Sequence, residues 1–551
     1  MIKKKESLLF LLPLLFLGVF FYLPLGFLFL FPGGTATLAG PRQIMEVLGD
    51  PYYRRVLGFT FAQAALSTGF AVLLGLPGGW FLGRFDFPGR RALLSLCSIP
   101  FVLPSLLVVL GFVLFFGNNG YLNRFLQSLT GLREPPLKIL YSLRAVILAH
   151  GFYNFPVIIR CTAAACRNLS PSRRRAAASL GAGKPGVFWT VTLRELISPL
   201  LSGAMMVFLL CFMSFSVILV LGGGPRYSTL EVEIYRLARL SLDFPQAAAL
   251  GFWGTACTLL MRGISLRLQK KAAVISEGGG SPPEALRPSG GILMGVYFFF
   301  CAVFVLGPLV SILVNSFQTL PSRGAGAAFT LRHYRELFGG GALGGLTINA
   351  LGNSLFFGLA TALLVMPAAC LAAFGTAGEK NRLGRELLFM LPSGVSSVLL
   401  GLGYLRLRSL LSPGPALGRI FILAAHVILA FPFVLRHIAG GIRSLPPRLS
   451  EAASVLGASG TDLFFSVRLP LIKGTLFSAL VFAFCLSLGE INTVLLLAPR
   501  NFNTLPLVMY RLIGAHNFYA ACVPGVLLMA LSGLAFWAMD KTAEGKIERS
   551  F

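Results

Sequence analysis

Long apolar runs separated by short polar segments set the pattern of this chain. A helix that crosses a bilayer needs about 20 predominantly apolar residues. Runs of that kind fall at 7–31, 57–82, 92–116, 139–159, 196–221, 246–265, 291–317, 350–374, 387–405, 416–435, 472–498 and 518–539. The pattern predicts twelve transmembrane helices, and with them an all-α polytopic membrane protein. The first run follows Lys3-Lys4-Lys5, as the apolar part of a secretory signal would. It is longer than such a region and no small-residue cleavage site follows, so it reads as a transmembrane helix.

The segment 269–291, QKKAAVISEGGGSPPEALRPSGG, has neither an apolar run nor a helical period and reads as a linker at the middle of the chain. On either side of it the sequence repeats. With a shift of 276 residues and no gap, 147–182 faces 423–458. His150 falls on His426, Phe155-Pro156 on Phe431-Pro432 and Arg160 on Arg436. Arg167 falls on Arg443, Pro171 on Pro447, and Leu180-Gly181-Ala182 on Leu456-Gly457-Ala458. Further on, 222–237 echoes 498–513 with a one-residue gap. The chain is a tandem duplication whose halves run in the same direction. The expected division is an N-terminal helix and external loop at 1–52, a first transmembrane domain at 53–266 and a linker at 267–291. A seventh helix and external loop follow at 292–348, then a second transmembrane domain at 349–540 and a tail at 541–551.

Each copy interrupts its apolar pattern between the fourth and fifth runs. Pro171 and Pro447 sit where a helix can start, since the missing amide hydrogen costs nothing at that position. AAASL and EAASVL continue the helix, and Gly181 and Gly457 supply a left-handed stop. Thr461-Asp462 can cap the next helix, which enters the membrane through Leu469-Pro470. Each half thus carries one short surface helix, and two such helices at equivalent places predict two docking sites for a symmetric partner.

Composition narrows the function. The chain has 551 residues, 56% hydrophobic and 12% charged, against about 25% charged in soluble domains. Its net charge of +27 comes from 47 Lys and Arg against 20 Asp and Glu. No polar domain carries clustered basic residues, so nucleic acid is not an expected partner. The larger share of the Lys and Arg lies on 3–5, 84–91, 160–194, 262–287, 380–385, 436–473 and 541–549. The positive-inside rule puts those segments, both termini and both surface helices in the cytoplasm. The nine cysteines form no CxxC pair and the five histidines no ligand spacing, so neither metal nor cofactor is expected. GAGKPG at 181–186 fits GxGxxG but follows a helix, and no GxxxxGK[ST] is present. A self-sufficient pump or an enzyme is therefore not expected. An ion-coupled transporter is a distant alternative, since it would show several intramembrane charges. Here Glu490, in CLSLGEINTVLLL, is the exception among apolar runs and a candidate functional residue.

EAASVLGASGTDLFFSVRLP (451–470) resembles the EAA loop of ABC importer permeases. The resemblance implies two type I permease units and a coupling helix in each half. The ATPase-coupling residues it implies are Glu451, Ala452, Ala453 and Gly457 in the second loop, and Arg175, Ala176, Ala177 and Gly181 in the first. The first loop departs from the pattern, with Arg175 at the Glu position and Arg194 at the Pro position. Implied partners are two copies of an ABC ATP-binding subunit, a periplasmic or lipoprotein solute-binding protein and membrane lipid. The implied site of action is the bacterial inner membrane. Glu490, where related permeases carry Gly-Glu or Gly-Asp, joins Ser214 and Ser487 as the expected substrate path. Stretches 87–97, 147–156 and 210–238 look like the fused permeases of thiamine importers, and fused ferric-iron permeases share the architecture.

Overall fold

Backbone amides and carbonyls have no water to bond inside hydrocarbon, so the apolar runs must close their hydrogen bonds internally as helices. The computed structural model describes residues 11–29, 41–275, 284–285, 288–318, 328–338, 342–375, 388–411, 415–458 and 462–547. Among these, ten helices are long and apolar enough to cross a membrane, and two bent pairs bring the number to twelve. Spans 1 to 8 are Leu11–Phe29, Pro51–Arg84, Ser105–Thr130, Leu143–Arg167, Pro185–Phe212, Phe244–Gln269, Gly291–Asn315 and Gly344–Phe374. Span 9 is Leu388–Gly394 with Ser397–Leu411, bent by 101°, and span 10 is Leu417–Arg443. Span 11 is Phe465–Leu471 with Lys473–Gly489, bent by 57°, and span 12 is Phe518–Met539. The all-α polytopic class is borne out.

Four predicted runs are not the uninterrupted helices expected of them. The run 92–116 divides into Arg90–Val102 and Ser105–Phe116. Pro104 has no amide hydrogen and forces the residue before it out of helical geometry, and Leu103 is extended at φ −74°, ψ 142°. Span 9 also turns, after Leu391–Gly394, where Val395 is extended at φ −111°, ψ 134°, although no proline follows it. The run 196–221 breaks at 213–215 and resumes as Ser216–Leu221. The run 472–498 breaks at Glu490-Ile491 and resumes as Asn492–Leu497. A further correction concerns the linker, since the helix Phe244–Ile275 carries on through 269–275 and the next begins at Pro288. Gln-Lys-Lys-Ala-Ala are strong helix formers and prolong the turn. Residues 276–283 and 286–287, the termini and Thr461 lie outside the described residues.

The chain forms two compact units that cross the sequence halves. One comprises Met1–Ile44, Ile234–Ala249 and Ser316–Phe551, the other Met45–Glu233 and Leu250–Asn315. Span 1 therefore packs within the unit built by the second half. Tyr22 Oη donates to the Leu388 carbonyl at 2.9 Å, and Tyr404 Oη donates to that of Phe20. Span 7 packs within the other unit, where Tyr297 Oη donates to the Leu74 carbonyl. Spans 2 and 4 of that unit approach along Gly75, Gly79 and Gly83. A Cβ on Gly79 would lie 2.5 Å from Thr162 Cβ, and one on Gly75 2.7 Å from the Phe155 carbonyl oxygen. Small residues at this spacing let two membrane helices touch along their backbones.

The breaks expose backbone and polar groups, which the fold satisfies the same way in both halves. In the first, Ser105 Oγ meets Ser216 Oγ at 2.6 Å, and beyond the break Thr60 Oγ1 accepts from the Leu230 amide, which opens the short helix Leu230–Arg236, at 3.0 Å. In the second, Asn492 Nδ2 donates to Ser397 Oγ at 2.7 Å, and Ser354 Oγ accepts from the Leu505 amide at 2.9 Å. Ser216 and Asn492 are equivalent at the 276 shift. Because each residue fills the same place, Ser216→Asn should be tolerated, its thermal midpoint in detergent close to that of the parent. Ser216→Val leaves Ser105 without its partner and should cost about 1–3 kcal/mol, read as a lower midpoint.

Candidate functional site: surface helices and broken spans

The first surface helix is Pro171–Ser179 and the second is Pro447–Val455. Both begin on the expected proline. Ser170 caps the first, its hydroxyl accepting from the Arg173 amide at 3.4 Å, whereas Pro446 precedes the second. Both end in one motif. The Gly181 and Ala182 amides bond the Ala178 and Ala177 carbonyls at 3.0 and 3.1 Å, and those of Gly457 and Ala458 bond Ser454 and Ala453 at 3.1 and 3.0 Å. This closure needs a left-handed residue, and Gly181 and Gly457 have φ of +86° and +84°. Arg175, Ala176, Glu451 and Ala452 are exposed, while Ala177 and Ala453 are half-buried.

What the two helices present to their surroundings is apolar as well as charged. Leu180 is 88% exposed, and Val455 and Leu456 are each 87% exposed. After each surface helix the chain enters its next span through a π-helical stretch, Phe188–Thr192 in the first half and Leu463–Arg468 in the second. Wide turns of this kind recur at functional places in helices. The stretches correspond at the 276 shift, so the entry is built alike twice.

The predicted path residues separate into two groups. Ser214 and Glu490, equivalent at the 276 shift, both lie in the breaks of spans 5 and 11 and are half-buried. Glu490 Oε1 accepts from the Thr493 amide at 3.0 Å and from Thr493 Oγ1 at 3.4 Å. It thereby caps Asn492–Leu497, where the helix dipole favours a negative charge. Ser487 is buried instead, its Oγ 2.7 Å from His426 Nδ1 and 3.2 Å from Thr361 Oγ1. It joins spans 8, 10 and 11. In the first half His150 Nδ1 meets Ser67 Oγ at 3.0 Å, which joins spans 2 and 4. His150 and His426 were visible as a repeat, but nothing in the sequence assigned them this packing role.

Two further features escaped sequence reasoning. Glu231 and Glu233, on the short helix Leu230–Arg236, are buried, and Glu233 Oε2 accepts from Tyr52 Oη at 3.1 Å and from Ser228 Oγ at 3.4 Å. Among the described residues, fully buried acids thus occur outside the spans, at Glu231 and Glu233, while Glu490 is half-buried. Glu195 holds the first surface helix through contacts 22 and 25 residues away in sequence. Among the described residues no three His, Cys, Asp or Glu come together as metal ligands would.

Comparison with known proteins agrees with this architecture. Residues 75–273 match the family described as binding-protein-dependent transport system inner membrane component. The chain is 29% identical to the thiamine transport system permease protein ThiP of Escherichia coli K12, over 90% of each chain. It is 29% identical to the protein of the same name from Brucella abortus strain 2308, over 91% of this chain and 89% of that one. To the ferric transport system permease protein FbpB of Actinobacillus pleuropneumoniae it is 25% identical, over 84% of this chain and 67% of that one. Ten to twelve apolar spans, a repeated half and these matches together make the chain similar to the multi-pass inner-membrane components of binding-protein-dependent transport systems, with the family's domain matched over residues 75–273.

Proposed function

We propose that this permease imports thiamine or its phosphates, driven by ATP hydrolysis on a separate chain. The observation that carries the substrate is the likeness to thiamine permeases along nine-tenths of both chains. Two copies of an ATP-binding subunit dock on Pro171–Ser179 and Pro447–Val455. The coupling residues are Arg175, Ala176, Ala177 and Gly181 on one helix and Glu451, Ala452, Ala453 and Gly457 on the other. What supports this is the repetition of one helix with one closure, its apolar end exposed in both copies. A solute-binding protein delivers substrate from the opposite side, and lipid surrounds the spans. Its docking and ATP-driven closure favour the same outward-open state by linkage. We retain 53–266 and 349–540 as the two permease domains.

The path runs by the breaks of spans 5 and 11, at Ser214 and Glu490. Thiamine is an organic cation, and a half-buried carboxylate at a helix start attracts it without a cage of donors that would trap it. Ser487 holds three spans in register beside that path. Both termini are cytoplasmic, following the Lys and Arg bias.

Two measurements test these readings. Cells lacking their own thiamine importer, supplied with this chain, its ATP-binding subunit and its binding protein, should accumulate radiolabelled thiamine in an ATP-dependent way. Glu490→Gln keeps an oxygen for the Thr493 amide but removes the charge, and should slow uptake by about tenfold, the equivalent of 1.4 kcal/mol. Accumulation of ferric iron and not thiamine would replace the substrate with that of the ferric relative. For orientation, single cysteines at 226–240 should react with an impermeant maleimide on intact cells, and cysteines at 450–458 should not; the reverse result would end the cytoplasmic assignment.

A further inference from the structure

One carboxylate ties the first surface helix to span 5. Glu195, on the first turn of Leu193–Phe212, accepts from the Ser170 amide at 3.2 Å and from Arg173 Nη1 at 3.1 Å. Ser170 is the cap of the surface helix and Arg173 lies on its first turn. The Glu195 side chain is 10% exposed and that of Arg173 62%. The amide bond is therefore the sheltered arm of the clamp, and the guanidinium the wet and weaker one. Beside it, Cys166, Leu169 and Leu196 form a buried cluster with Trp80 and Ala165 packed against it. Trp80 also meets Phe188 of the π-helical entry edge-on, at 5.7 Å. The end of span 4, the cap of the surface helix and the start of span 5 are thus bolted together.

The second half lacks every member of this clamp. The 276 shift puts Pro446, Leu449 and Leu471 at the positions of Ser170, Arg173 and Glu195. Proline has no amide hydrogen to donate and leucine has no charge. The connection differs as well. Span 5 is one helix from Pro185 to Phe212, whereas span 11 bends by 57° between Leu471 and Lys473. Three replacements at the three interacting positions, with a bend beside the third, separate a stiff connection from a hinged one.

We propose that Glu195 is a positioning residue that makes the first surface helix and span 5 a single lever. Displacement of that helix by the ATP-binding subunit reaches the break at 213–215 directly. In the second half, the same displacement passes through the bend at Leu471–Lys473. The proposal rests on the reading of the surface helices as ATPase docking sites.

Hydrogen exchange on the full chain, alone and with its ATP-binding subunits, tests it without reference to substrate. In the free chain, Glu195→Ala should speed exchange at the Ser170, Arg173 and Arg174 amides by about tenfold, as loss of a charge-assisted bond implies. Glu195→Asp should restore most of the protection. In the complex, the ATP-dependent change at 209–219 should shrink at least about fivefold in Glu195→Ala, and the change at 485–495 should persist. Arg173→Met, which removes only the wet arm, should act in the same direction and more weakly. Unaltered exchange at Ser170 in Glu195→Ala would overturn the clamp. Loosened exchange there with an undiminished response at 209–219 would leave the clamp purely local and overturn the positioning role. Wild-type surface helices that gain no protection from the ATP-binding subunits would refute the docking reading, and this inference with it.

Discussion

A helix broken inside an apolar slab leaves donors and acceptors that cost several kcal/mol each unless the protein itself satisfies them. The helix packing of this chain follows in large part from how four such breaks are accommodated. Ser105 with Ser216 and Ser397 with Asn492 pair short polar side chains where second half-helices begin, and Thr60 and Ser354, inside spans 2 and 8, accept from the amides that open Leu230–Arg236 and Leu505–Gly514. Glu490 Oε1 accepts from the Thr493 amide in the same manner. Because the breaks are mended by neighbouring spans, those spans cannot slide freely past one another. The breaks also place polar backbone and side chain at Ser214 and Glu490, the positions proposed above to line the path.

Duplication has preserved the parts whose chemistry is local and let others diverge. Both surface helices start on proline, close through a left-handed glycine and present an exposed leucine. Their charges differ, with Arg173, Arg174 and Arg175 on the first against Arg448 and Glu451 on the second. Their attachments differ too, by a carboxylate clamp on one side and a bend on the other. Under the proposed docking, partner subunits of identical sequence would meet two unequal surfaces. The leading spans are exchanged: span 1 packs within the unit built largely from the second half, and span 7 within the unit built largely from the first.

Much of this was legible beforehand, for physical reasons that differ from part to part. Twelve spans were readable because hydrocarbon thickness sets a length that composition must match. Pro171, Gly181, Pro447 and Gly457 were readable because helix starts and stops are decided by a residue or two. The breaks in spans 5 and 11 were not, since a three-residue interruption vanishes in an apolar run of this length. Their only trace was a polar residue, Ser214 or Glu490, at one register. Ser487 was read as lining a path because it is polar in a span, whereas it bonds His426 and Thr361 between helices. The Glu195 clamp joins residues more than twenty positions apart, which no local pattern encodes.

The central claim is that one chain offers two docking helices to an external motor. Native mass measurement of the complex purified with its ATP-binding subunit decides it most directly. The account predicts one copy of this chain with two of the ATP-binding subunit. Leu180→Asp with Leu456→Asp, which puts charge at both exposed apolar tips, should release both copies, and either change alone should release one. A complex holding a single ATP-binding subunit, or one that survives both substitutions intact, would contradict it.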